Sequence, residues 1–189
     1  MQEAIDVLVI LNALRALAGT PSTRSKNVEI SNIGRQFRAE HRRLLPGVKR
    51  LLQLADSLDR VSPLQARDEL GKTHSFLVNE IVPHDEAEDA SVYPVVAKLI
   101  GGDDPTATMS RAHLEIAHLV NVFGRTKDDL SSTGPDSEET GELRRILYSL
   151  DSILRLHFAQ EEESYLALID ERCGGEYEEI AQPAAPKRG

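Results

Sequence analysis

Cysteine occurs once in the chain, at Cys173. A single thiol excludes an intramolecular disulfide framework, and it excludes a zinc or iron–sulfur site built from the cysteines of this chain alone. It is compatible with a reducing compartment, and the expectation is a cytoplasmic protein. Tryptophan is absent and aromatic residues make up only 4% of the chain, so the apolar positions are mainly Leu, Val, Ile and Ala, which suits helix-on-helix packing. Basic residues are in deficit, with 22 Lys and Arg against 31 Asp and Glu. No basic surface is available to neutralise phosphates, which argues against a nucleic-acid partner. The opening, MQEAIDVLVILNALRALAG, has an acidic lead and no small-residue cleavage pattern, so it does not read as a secretory signal. Asp6, Asn12 and Arg15 break its apolar run short of the roughly 20 residues needed to cross a bilayer. Runs alternating apolar and polar residues are missing, so strands are not expected, and no repeat of 20–50 residues is visible.

What the sequence has in abundance is apolar residues at three- and four-residue spacing, divided by clear punctuation. A length of 189 residues suits one domain with a real core. Residues 2–18 read as a short helix ending at Gly19-Thr20-Pro21, and a polar linker follows over 22–26. A long helix is expected over about 28–58, with a kink at Pro46-Gly47. Ser62 as N-cap and Pro63 at the first helical position open a second helix, expected to bend at Pro83 and to stop at Gly101-Gly102. Asp104 as cap and Pro105 open a third, running to about Leu130. A polar loop with Gly134-Pro135 leads to a fourth over about 137–172. Four long amphipathic helices with short connections predict an all-α, up-down-up-down four-helix bundle with an extra N-terminal helix. The expected division is a helix and linker over 1–26, the bundle over 27–173 and a disordered tail over 174–189.

Two short motifs carry the chemistry. His84 and Glu88, and again His157 and Glu161, form H-x-x-x-E pairs, each placing an imidazole and a carboxylate one helical turn apart on one face. At about 100° per residue, Leu77, His84, Glu88 and Val95 share a stripe on the second helix. Met109, His113, Ile116, Val120 and Phe123 do so on the third, and Leu150, Ile153, Leu154, His157, Glu161 and Leu168 on the fourth. His41 lies on the apolar stripe of the first helix with Phe37, Leu44 and Val48. Burying Glu88 and Glu161 without partners would cost several kcal/mol each, on the order of the desolvation penalty of an ion. A pair of cations removes that cost. His41, His84, Glu88, His113, His157 and Glu161 are therefore the candidate ligands of a dinuclear metal site, and histidine with carboxylate points to iron or manganese. His118 should face outward and His74 should lie off the stripe. Asp85 is either an extra ligand or a hydrogen-bond acceptor behind one, and Tyr93 and Tyr165 lie near the ligand ends of their helices.

The strings EIVPHDEAEDASVYPVVAKLI and LHFAQEEESYLALI resemble the second and fourth helices of the hemerythrin-like, HHE cation-binding domains, over about residues 28–172. That resemblance implies two iron ions, oxo- or hydroxo-bridged and spanned by the two carboxylates, with the six residues above as ligands and manganese or zinc as lesser alternatives. It also implies dioxygen or peroxide as the small-molecule ligand. The chain departs from the oxygen-carrier branch, whose third helix carries H-x-x-x-H: four residues after His113 stands Ala117. One nitrogen ligand fewer favours redox chemistry over reversible carriage. A shorter string, QEAIDVLVILNALRAL, is similar to the end of the last membrane helix of heavy-metal-transporting P-type ATPases, which implies a membrane metal transporter as a context. Two functions are open on these residues: a domain that binds or senses oxygen, iron or redox state, and an enzyme of peroxide-decomposing or oxidase type.

Overall fold

The computed structural model describes residues 23–174. The expected opening helix and the tail after Gly174 lie outside the described residues. Helix α1 spans Thr23–Ser57, α2 Pro63–Phe76, α3 Val82–Ile100, α4 Ala107–Asp128, α5 Ser137–Gln160 and the short α6 Ala167–Ile169. Among the described residues there is no strand. Wide π-helical turns at Leu77–Ile81, Glu161–Leu166 and Asp170–Gly174 join α2 to α3, α5 to α6, and close the last helix.

The helix starts follow from local chemistry. Ser62 and Asp136 both cap through capping boxes, with Gln65 and Glu139 reaching back to the cap backbone. Gly101 and Gly102 take φ of 75° and 93°, which stops α3 where only glycine is unstrained. The third helix departs from expectation. Asp104 is not its cap: it takes a left-handed φ of 51° in the turn, Thr106 is the N-cap, and α4 begins at Ala107. Asp tolerates that conformation better than most residues. The linker expected over 22–26 is helical from Thr23, since no glycine or proline intervenes until Gly34. Helix α1 continues through Pro46, the position of the expected kink. Pro46 is exposed, so the carbonyl it displaces can bond water. Gly47 beside it lies under the Phe76 ring, where a Cβ would stand 2.2 Å from a ring carbon.

Contacts between helix ends give the up-down-up-down order. Arg144, early in α5, donates to the Ala55 carbonyl late in α1, 3.0 Å away. Arg38, in the first half of α1, pairs with Asp170 near the end of the described chain. Arg67, early in α2, donates to the Ser131 carbonyl just after α4. These pairs run α1 antiparallel to α5 and its continuation, and α2 antiparallel to α4. Gly134, at φ 99° in the loop before α5, lies against the Pro63 backbone; a Cβ there would stand 2.1 Å from the carbonyl oxygen. Gly134→Ala should therefore destabilise the protein by about 2 kcal/mol, through both the left-handed backbone and the clash, measurable by urea unfolding.

The core is split in two. Leu44, Val48, Leu77, Ile81, Ile116, Phe123, Leu147, Leu150 and Leu154 belong to the larger cluster, and Ile33, Phe37, Val92, Val96, Met109 and Ile169 to the smaller. Along every helix the candidate ligands stand between the two: His41 between Phe37 and Leu44, His84 and Glu88 between Ile81 and Val92, His113 between Met109 and Ile116, and His157 and Glu161 between Leu154 and Ile169. A polar layer is thus sealed above and below by apolar packing. The π turns shift the stripes that carry it. Ile169 is fully buried and Leu168 only half, because the wide turn at Glu161–Leu166 adds a residue and rotates the helix beyond it. On α3 the buried continuation is Val92 and Val96, with Val95 half-buried. Where a bend was expected at Pro83, a π turn stands just before it, in which the Val82 N–H donates to the Leu77 carbonyl. A proline one residue later has no N–H to continue the ladder.

Candidate metal centre

All six candidate side chains meet in this layer, and each of the six residues is at most 5% exposed. Glu88 lies at its middle. Its Oε1 is 3.2 Å from His41 Nε2 and 3.5 Å from His84 Nε2, while its Oε2 is 3.5 Å from His113 Nε2. The two oxygens of one carboxylate thus face two different groups of imidazoles. Glu161 lies opposite, with Oε2 3.4 Å from both His41 Nε2 and His157 Nε2 and Oε1 4.0 Å from His113 Nε2. His113 Nε2 and His157 Nε2 approach to 2.8 Å. Two sets of atoms are close enough to hold an ion: His41, His84 and Glu88, and Asp85, Glu88, His113 and His157. Glu88 belongs to both.

A protein interior rarely leaves polar atoms unpaired, and this one does so here. His84 Nε2, Glu88 Oε2 and Glu161 Oε2 are buried without a hydrogen bond. All three are lone-pair atoms turned into the same small volume, so a cation fits the donor set.

The imidazoles are held from behind by carboxylates that the sequence did not single out. His84 Nδ1 donates to Glu40 at 3.1 Å, His113 Nδ1 to Asp89 at 2.9 Å, and His41 Nδ1 to Glu162 at 3.0 Å. Each bond fixes Nδ1 as the donor and leaves Nε2 facing inward, where its lone pair is free for a metal once any second proton has left. Each of these acids is the chain neighbour of a candidate ligand yet serves the histidine of another helix. The signal in the sequence was the acidic clustering around the motifs, which reads equally as solvated helix surface.

The tyrosines separate. The Tyr93 hydroxyl donates to Glu161 and lies 3.0 Å from His113 Nε2, its ring stacked on that imidazole. Tyr165 donates to the Pro105 carbonyl instead. His118 is exposed and His74 packs beside Gly124 and Phe123, both away from the centre as expected. Glu86 is exposed, whereas Asp85 is buried in the layer.

Charge is shared unevenly in the cluster. Burial disfavours the imidazolium of His41, but the Glu161 and Glu88 carboxylates outweigh it and raise its pKa to about 10. His113 is raised to about 9 against burial by Glu88, Asp85 and Asp89, and His84 is raised against burial by Glu88 and Glu40. His157 goes the other way, to about 3, through burial and then repulsion from His113. Glu88 is lowered, because His84, His113 and His41 overcome its burial. Glu161 is raised to about 7 by burial and by Glu88.

A family model, the hemerythrin HHE cation binding domain, matches residues 32–169. The chain belongs to this family. The match spans the four bundle helices and includes every residue of the polar layer. No curated protein and no solved structure matches the chain. Among the described residues of this hemerythrin-like domain, no helix is long and apolar enough to cross a membrane. The proposed likeness of the first residues to a transporter helix lies outside the described residues.

Proposed function

We propose that this domain holds two iron ions between its four helices and reports oxygen, iron or redox state through them. The observation that carries the reading is the position of Glu88, shared by two separate groups of buried donors, one oxygen facing each. His41 and His84 would hold one ion, His113 and His157 the other, and Glu88 with Glu161 would bridge them. Histidine and carboxylate donors suit iron or manganese better than the softer sites that select copper. Bound iron would supply one-electron redox chemistry and open positions for dioxygen or peroxide. Glu40, Asp89 and Glu162 orient three imidazoles, and the two apolar clusters exclude bulk water from the layer. A metal transporter remains the proposed partner, and the cytoplasm the proposed location.

One observation favours the enzymatic reading as a second possibility. Tyr93 places a hydroxyl on Glu161, and burial with the neighbouring carboxylates raises its pKa, so it stays protonated and can donate a hydrogen bond to a ligand at the centre. The experiment that tests both is metal analysis and an optical spectrum of aerobically purified protein, followed by anaerobic reduction, admission of oxygen and sparging with inert gas. Two irons per chain and a single oxidation that does not reverse are expected, because α4 offers Ala117 where an oxygen carrier of the family has a further histidine. Full return of the deoxygenated spectrum over several cycles would establish reversible carriage instead. Catalytic loss of added peroxide would make the domain an enzyme, and Tyr93→Phe should then slow that loss by about 10- to 100-fold.

A further inference from the structure

We infer that Arg38 is a positioning residue for His41: it holds Glu162 behind that imidazole and ties both to Asp170, so that an ion bound at His41 tightens the last described turn of the chain. The inference rests on the metal-binding reading above and adds to it a route by which the centre acts on the rest of the fold.

Glu162 divides its two carboxylate oxygens. Its Oε1 accepts from His41 Nδ1 at 3.0 Å, and its Oε2 accepts from Arg38 Nε at 2.9 Å. The Arg38 guanidinium also donates, through Nη1, to Asp170 Oδ2. Four side chains thus form one line, from the inward imidazole to the turn Asp170–Gly174. Arginine suits this task. Its planar fork points separate N–H groups at two acceptors, and it keeps its charge at any physiological pH. Arg38 and His41 stand three residues apart on α1, so both reach the side where Glu162 stands. Arg38, Glu162 and Asp170 are all half-buried, which spares the two ion pairs part of the solvent screening that weakens exposed ones.

The other two carboxylates behind imidazoles end on neutral groups. Glu40, behind His84, accepts from the Gln36 amide at 3.2 Å, and Asp89, behind His113, accepts from the Ser110 hydroxyl at 2.7 Å. Gln36 is one turn from Glu40 on α1, and Ser110 is about one turn from His113 on α4, so both lines stay within helices that already carry the layer. Of the three lines, only that of His41 ends on a full positive charge and runs out to another segment. The segment it reaches continues directly from the centre. Glu161 and Glu162 are consecutive in the turn Glu161–Leu166, and Asp170 opens the next wide turn. An ion that draws His41 and Glu161 together fixes Glu162 from both sides, and Arg38 passes that constraint to Asp170. A helix end frays unless it is tied down, so this contact decides how often the last turn opens.

The test follows backbone amide exchange over residues 167–174 of the full chain, metal-free and loaded with Co(II), in wild type, Arg38→Gln and Asp170→Ala. Co(II) should slow exchange of the wild-type turn by about 10-fold. Arg38→Gln keeps much of the stem without the charge or the fork. It should bind the ion at His41 about 10-fold more weakly, the lower end for groups that orient a ligand from behind, and show no slowing at saturating Co(II). It should also move the hyperfine-shifted N–H proton resonance of His41 while leaving those of His84 and His113 in place, a change that a purely structural role would not produce. Asp170→Ala leaves Arg38 on Glu162, so it should keep wild-type Co(II) affinity and resonances yet lose the slowing. This second variant removes only a half-buried surface carboxylate and carries the test should Arg38→Gln fail to fold. Wild-type affinity and resonances in Arg38→Gln, or full slowing in Asp170→Ala, would overturn the inference and leave the metal-binding reading intact. Failure of wild type to bind Co(II) would overturn that reading, and the inference with it.

Discussion

Glu88→Ala should empty both halves of the centre at once, taking the metal content from two ions per chain to near none. Its two oxygens lie 3.2–3.5 Å from imidazoles of both groups, one oxygen toward each. The substitution also leaves His41, His84 and His113, whose pKa values Glu88 helps to raise, without their shared counter-ion. Breaking a buried pair by deleting one partner costs about 3–5 kcal/mol. The metal-free variant should therefore also melt below metal-free wild type. Glu88→Gln separates the two effects, since it keeps the volume and loses the bridging charge. The matched control is His118→Ala: His118 is exposed on α4, so its loss should leave two ions in place. Elemental analysis after desalting reads all three variants. Metal retained in Glu88→Ala, or lost in His118→Ala, would show that the inward face has been misassigned.

Chelation should lower the melting temperature substantially, and the gap between loaded and chelated protein should shrink as pH falls. An ion bound only by the folded state, at 100 to 1,000 times its dissociation constant, stabilises by about 3–4 kcal/mol. At roughly 2–4 °C per kcal/mol for a chain of this size, that is about 6–16 °C for each ion. The pH dependence arises from the protons the cluster carries without metal. His41 and His113, at about 10 and about 9, hold protons at neutral pH, whereas a metal takes only the neutral imidazole. Loading both positions at pH 7 thus expels at least two protons, and the combined affinity should fall by about 100-fold for each unit of acidification. Between pH 7 and 5 the loss steepens, as Glu161, at about 7, takes a proton as well. In the chelated protein the signs differ by group. The raised values of His41 and His113 stabilise fully below their ordinary pKa, and that contribution is lost as pH rises through 9 to 10. The depressed value of His157 stabilises above its ordinary pKa, and that is lost as pH falls toward 3. Raising the pH from 6 to 8.5 should therefore widen the melting gap. Calorimetry of loaded and chelated samples across that range checks it, and a gap independent of pH would mean that the ions do not displace these protons.

Much of the site was legible in the sequence because helical periodicity is a local property. Once His84 and Glu88 stand four residues apart on an apolar stripe, they share a face whatever the rest of the chain does, and the same holds for His157 and Glu161. Helix starts such as Ser62-Pro63 are equally local, since a cap needs only the next three residues. The sequence by itself therefore determined four helices, their inward faces and the six side chains that would meet if those faces converged. Only the tertiary structure decided what stands opposite what. Which histidine Glu40, Asp89 or Glu162 serves depends on the rotation and height of one helix against another, and no spacing within a helix encodes that. The same nonlocal register sends the Tyr93 hydroxyl to Glu161 and the Tyr165 hydroxyl to the Pro105 carbonyl, though both tyrosines sit near ligand ends. The π turns beside the two motifs are a further case. A wide turn exchanges regular hydrogen bonds for a rotated face, and whether that exchange is favourable is settled by the packing it permits, here the burial of Ile169 where a regular helix would have turned Leu168 inward. Asp85 shows both sides. Its neighbour relation to His84 was plain from the chain, but its place with His113 and His157 is set by α3 lying between α1 and α4.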